Sequence, residues 1–218
     1  KGIILSEYDM YQQSPEQRLF KETLVSLYKN HPMKVDVLGS KEDIQNMRME
    51  DLKYFYELNY DPSKLCLVGI TGKDTDEIME WIKDCQKDVE SKCDKEISCV
   101  FKEEPMEVNR KEFVDTMDIS QPFVCVGFKM KPCSNVMECI EKDFAVNMWL
   151  DSLMGPLNPK FQEWLDQRIF TQFVGAEADF TTDHSYVLFY AQTTNPDAFI
   201  ELVKEQVKKK TISNEDYQ

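Results

Sequence analysis

Apolar, β-prone runs come in pairs in this sequence, and only a few residues join each pair. Lys111 to Ile119 and Pro122 to Met130 are separated only by Ser120-Gln121, and Phe173 to Phe180 is parted from Tyr186 to Gln192 by Thr181 to Ser185. The first spacing predicts a hairpin or neighbouring strands, and the second places His184 in a hairpin turn. Helical patterns lie between and after the pairs. Met137, Ile140, Phe144 and Met148 predict a long amphipathic helix, Phe161 to Leu165 a short one after Gly155-Pro156, and Phe199, Leu202, Val203 and Val207 a final one. The order β-β-α-α-β-β-α, with strands grouped instead of alternating with helices, predicts an α+β fold: antiparallel-rich sheets, each with helices on one face.

The first part of the chain is richer in helix. Ile3, Glu7, Met10 and Tyr11 follow helical spacing and place Glu7 on an otherwise apolar face, where a carboxylate needs a partner. Ser14-Pro15-Glu16-Gln17 reads as an N-cap, a first-turn proline and a capping-box glutamine. The helix it opens carries Phe20, Leu24, Leu27 and Tyr28 and stops at Asn30-His31-Pro32. Met49, Leu52, Phe55 and Tyr56 predict another helix. Lys64 to Ile70 then reads as a continuous, central strand, and Asp74 or Thr75 caps a helix bearing Ile78, Trp81, Ile82, Cys85 and Val89. The charged stretch from Ser91 to Asn109, broken only by Ile97 to Phe101, suits a connector and divides the chain into modules 1–93 and 94–218. By element order, the first looks like the truncated tail of the plan completed in the second.

Twenty-six Lys and Arg against 40 Asp and Glu give a net charge of −14, a field that repels phosphate backbones and anionic lipid. Neither nucleic acid nor a membrane surface is expected as a partner, and no apolar stretch approaches the roughly 18 residues of a membrane span. Seven cysteines without a CxxC pair argue against a disulfide framework or a zinc knuckle and fit reduced thiols in a cytoplasm. Cys66 and Cys125, inside apolar runs, are expected in cores. No GxGxxG, GxxxxGK[ST], GxSxG or HExxH is present. The two histidines, His31 before a proline and His184 in a predicted hairpin turn, lie 153 residues apart. A catalytic zinc takes three protein ligands, often two imidazoles one helical turn apart plus a carboxylate, and no helix here supplies the imidazole pair. The most this chain can offer such a centre is a carboxylate.

Lys1-Gly2-Ile3-Ile4-Leu5-Ser6-Glu7, then Met10-Tyr11, Pro15, Arg18-Leu19 and Tyr28-Lys29-Asn30-His31-Pro32-Met33-Lys34-Val35-Asp36, resemble one region of the pitrilysin/insulinase-type zinc peptidases. Asp43-Ile44, Tyr60-Asp61-Pro62-Ser63-Lys64-Leu65 and Val68-Gly69 extend the match, which is most similar to bacterial processing-protease-like members. Leu153 to Phe173 and the Asn195-Pro196-Asp197-Ala198 helix resemble the family's second domain more loosely. The resemblance implies two modules like those of mitochondrial processing peptidase. In that family an inverted HxxEH helix supplies two zinc-binding histidines and a general-base Glu, and a Glu one turn past a "GxI" segment supplies the third ligand. That position is Glu7 here. The HxxEH helix is absent from the chain. Many members carry a substrate-binding Arg and Tyr where this sequence holds Trp164 and Thr171.

The expectation is therefore a fragment of a zinc endopeptidase. Zinc and peptide substrate belong to the intact parent, whose chamber is a clamshell formed with another half or subunit, while the fragment is expected to be inactive and metal-free. The alternative is a non-catalytic partner subunit of the same fold that has lost HxxEH and acts as a scaffold or chamber half.

Overall fold

A computed structural model describes residues 1–91 and 102–208. The expected apolar break at 97–101, Cys93, Cys99 and the end of the chain from 209 lie outside the described residues. Eight α-helices are described: α1 (Gly2–Gln13), α2 (Pro15–Leu27), α3 (Lys41–Asn46), α4 (Met49–Asn59), α5 (Thr75–Gln86), α6 (Val136–Met154), α7 (Phe161–Asp166) and α8 (Pro196–Gln206). The described strands are β1 (Phe123–Lys129), β2 (Val174–Phe180) and β3 (Ser185–Gln192). Single 3₁₀ turns occupy Pro32–Lys34 and Pro62–Lys64. Two compact units result: Lys1–Ser40 with Phe101–Gln218, and Lys41–Val100.

In the larger unit the strands form one antiparallel sheet in the order β1-β3-β2, with Val126 opposite Phe189 and Ala176 also opposite Phe189. Side chains alternate across a strand, and β3 uses both sets. Val187, Phe189 and Ala191 join Leu150, Leu153, Met154, Trp164, Phe170, Phe199 and Val203 in the main core under α6, α7 and α8. Tyr186 and Leu188 point the other way and meet Leu24, Leu27 and Tyr28 of the α2 region. Gly127 lets α2 come this close: a Cβ there would lie 3.1 Å from Thr23 Cγ2 and 3.2 Å from Leu188 Cδ2. The α+β class thus holds, and the sheet face away from α6–α8 carries α2.

Local signals decide the helix starts. The Ser14 hydroxyl accepts the Gln17 N–H with Pro15 in the first turn, Asp74 accepts from Asp76 and Glu77, and Asn195 accepts from Ala198 ahead of α8. Two expected strands are absent. Lys111 to Ile119 does not pair with β1, whose ladder runs to β3. The segment and the two residues before it are instead held along α2, with Arg110 N donating to Ser26 O at 2.9 Å, Asn109 Nδ2 to Val25 O at 2.9 Å and Arg18 paired with Asp115 at 2.5 Å.

The second correction lies in the smaller unit. Lys64 begins no strand, and Leu65, Leu67, Val68 and Ile70 are exposed. A central strand needs a ladder on each side, and among the described residues nothing pairs with this one. Cys66, expected in a core, is exposed for the same reason, and Cys85 is exposed on α5. α4 forms, but Met49, Leu52, Phe55 and Tyr56 are each more than half exposed. Asp61 is the buried polar anchor of this unit, accepting from Ser63 N at 3.0 Å and from the Ser63 and Ser91 hydroxyls at 2.6 Å each.

Candidate functional site

Glu7 lies in the middle of α1, half-buried. The face assigned to it is less enclosed than its spacing predicts: Ile3 and Met10 are 84% and 60% exposed, while Leu5, Tyr8 and Tyr11 share the half-buried side with Glu7. Zinc needs several convergent donors, and among the described residues the only cluster of three or more His, Cys, Asp or Glu side chains spaced for a metal excludes Glu7. The described residues therefore do not complete a zinc centre around Glu7.

That cluster is His31, Asp183 and His184, and it joins the two distant histidines. His31 enters through the end of α2. Tyr28 caps that helix, and the proline after His31 forces an extended backbone into the Pro32–Lys34 turn. His184 closes the turn between β2 and β3, where Thr181 N donates to His184 O at 3.0 Å. The two rings lie 5.0 Å apart at a 42° tilt, with the Tyr28 ring 5.5 Å from His31 and 6.2 Å from His184. Tyr28, 1% exposed, fixes the corner by donating its hydroxyl proton to Ser185 O at 3.1 Å. Burial, followed by the nearby Tyr186, Asp179 and Glu104, pushes that phenol well above its usual range.

The hydrogen bonds assign the ring protons. His31 Nδ1 accepts the Met33 N–H at 3.2 Å, so the neutral ring carries its proton on Nε2, 3.6 Å from Asp183 Oδ2. Metal-binding imidazoles donate their second nitrogen outward; this one accepts, which leaves Nε2 without the lone pair a metal requires. The His31 ring is thus set to carry a proton on Nε2, not a metal. His184 Nδ1 faces Asp183 Oδ1 at 2.8 Å and Thr181 Oγ1 at 3.0 Å, and its Nε2 faces Asp179 Oδ2 at 3.2 Å. Burial, and next the neighbouring His184, lower the affinity of His31 for a proton, against opposing pulls from Asp183 and Glu104. Burial would raise Asp183, but the Thr181 hydroxyl and His184 outweigh it and hold the carboxyl below its usual range.

A second polar centre ties the same corner to the segment before β1. Glu104 Oε1 accepts from Lys29 N at 2.9 Å, Oε2 from Asn30 N at 2.6 Å and His31 N at 2.7 Å, and Lys129 Nζ donates to Oε1. Burial alone would raise this carboxyl; Lys129 and the three amides outweigh it and hold it down at about 2.

The residues at the expected substrate-clamp positions are committed elsewhere. Trp164 is 5% exposed and packs edge-on to Phe170, and Thr171 pairs its N–H with Gln192 O at 2.8 Å. All five cysteines among the described residues are thiols, and burial pushes Cys125 up to about 11, which fits a packing role. The His31–His184 pairing escaped sequence reading because it depends on the fold; the only local signals were His-Pro at a helix end and Asp-His in a turn.

The comparisons with known proteins agree with the resemblance. A family model described as the peptidase M16 inactive domain matches residues 46–216. A curated relative, the uncharacterized zinc protease YmfH of Bacillus subtilis (strain 168), is 26% identical over 204 residues, covering 92% of this chain and 47% of that protein. A structure described as an M16-like peptidase from Alicyclobacillus acidocaldarius is 28% identical, with a TM-score of 0.89 over 99% of this chain and 52% of that one. A protease from Helicobacter pylori shares the fold, with a TM-score of 0.79 at 19% identity over 99% of this chain and 53% of that one. The chain thus spans about half the length of the relatives it matches.

Proposed function

From the premise that this chain belongs to the pitrilysin-type peptidase M16 family, we propose that it forms part of a zinc-dependent endopeptidase, with 1–93 as the end of the catalytic-type module and 94–218 as the second, homologous module. The observation that carries the reading is the likeness over 99% of the chain to an M16-like peptidase, joined to a curated relative named a zinc protease. In this reading Glu7 is one ligand of a zinc whose remaining holders lie outside the chain, and the metal supplies an acidified water for peptide-bond hydrolysis. What this chain contributes is the presentation of that carboxylate. α1 holds Glu7 on its half-buried side, and α1 packs on α2, whose far end is fixed by Tyr28 and Glu104. The substrate is peptide, enclosed by the other half or subunit of a clamshell, and the compartment is the cytoplasm. No helix among the described residues is long and apolar enough to cross a membrane.

The test uses the full-length protein with an unstructured peptide. Hydrolysis abolished by a chelator, restored by zinc and lost at least a hundredfold in Glu7→Gln supports the reading. Residues 1–218 alone, incubated with zinc, are expected to give no turnover. Full-length protein without chelator-sensitive hydrolysis would overturn the reading and favour a non-catalytic chamber half, the alternative that the match to the family's inactive domain keeps in view.

A further inference from the structure

We propose that His31 and His184 form a proton-operated clasp between the Tyr28–Lys34 corner and the β2–β3 turn, closed while the pair carries at most one positive charge and opened by the second proton. The argument starts from unequal places for protons. His184 has an acceptor at each ring nitrogen, Asp183 with Thr181 on one side and Asp179 on the other, so it can be doubly protonated with both N–H groups satisfied. His31 cannot, because its Nδ1 already receives the Met33 N–H. A second proton there would set donor against donor, break the cap of the Pro32–Lys34 turn and place a second cation 5.0 Å from the first. The His31 side chain is 5% exposed and that of His184 11%, so water can relieve little of this repulsion.

Every element around the pair contributes a titratable or charged group. Tyr28 comes from the end of α2, Glu104 from the segment before β1, Lys129 from β1, Asp179 from β2, Asp183 from the turn and Tyr186 from β3. Asp179 and Asp183 together match two imidazolium charges, but neither offers an acceptor to His31 Nδ1, where the second proton would have to go. Glu104, engaged by Lys129 and three amides, offers none there either. The lowered proton affinity of His31 points the same way. Opening is therefore expected below the ordinary imidazole range near 6.5, and its consequence is local: the turn loses its hold on the corner that ends α2.

Histidine-selective ¹⁵N labelling of the full-length protein, with His31→Gln and His184→Gln to assign signals, tests the clasp. Expected are a neutral His31 protonated on Nε2 at pH 7.5 and titrating below 6.5. Amide exchange over 28–34 and 181–186, corrected for its intrinsic pH dependence, should be at least tenfold faster at pH 5 than at pH 7. His31→Gln, which cannot charge, should abolish that pH step. A His31 that titrates at or above 6.5, carries its proton on Nδ1, or leaves exchange unchanged across this range would overturn the proposal, as would an equal step in His31→Gln. Should that variant fold poorly, the wild-type titration and exchange decide alone.

Discussion

A few buried polar side chains set the geometry of the larger unit. The Glu104 side chain is 11% exposed and that of Lys129 4%, so each ion depends on the other and on backbone amides in place of water. Removing one charge of such a pair leaves the other desolvated. Glu104→Gln should therefore lower unfolding stability by about 3 kcal/mol, read as a fall in urea midpoint at constant m-value. Arg168 is strained in the opposite sense. It follows α7 with φ of 56°, and its N–H bonds to Leu165 O while Ile169 N bonds to Trp164 O, the two bonds of a glycine-type helix stop built on a residue with a Cβ. Arg168→Gly should raise stability by about 0.5–1 kcal/mol, visible as a higher thermal midpoint, since Arg168 is exposed and its side chain offsets little.

At the scale of elements, α6 shows why hydrophobic spacing can name a helix without naming its inner face. Two apolar stripes run along it. Met137, Ile140, Phe144 and Met148 have the expected spacing but are exposed, whereas Leu150, Leu153 and Met154, with Cys139, Val146 and Trp149, face the sheet. The orientation is fixed by Asn147, whose Oδ1 accepts Ala178 N at 3.0 Å and whose Nδ2 donates to Ala178 O at 3.2 Å, serving the open edge of β2 as a further strand would. Asn147→Ala should cost about 1–3 kcal/mol by stranding both backbone groups, and Leu153→Ala about 2–5 kcal/mol. Phe144→Gln, on the exposed stripe, should stay within about 0.5 kcal/mol. Denaturant unfolding of the three variants ranks the two faces directly.

Across the whole molecule, acid weakens the fold in two steps whose signs follow from where protons bind. His31 takes its proton less readily folded than unfolded, so its contribution is complete above about 6.5 and declines as pH falls below that. Glu104, held at about 2, gives up its contribution later, between about pH 5 and 2, as the unfolded chain protonates first. Urea midpoints across pH 7.5 to 3 should fall in both windows. His31→Gln should flatten the first and Glu104→Gln the second.

The chain's local chemistry determined much of this protein in advance. Ser14-Pro15, Asp74 and Asn195 start their helices, the short link between the last two apolar runs makes the β2–β3 hairpin, and the Tyr60-Asp61-Pro62 wording lies within the stretch 46–216 that the family model matches. These signals were legible because each acts over a few residues of backbone. Tertiary structure decided what needs a distant partner. Lys64 to Ile70 has the composition of a strand but no ladder among the described residues, and α6 could not choose a face until β2 offered one. Two histidines 153 positions apart became one site only because a helix end and a hairpin turn meet over Tyr28. Caps and turns are satisfied by near neighbours, whereas burial and the placing of protons depend on which surfaces the fold brings together.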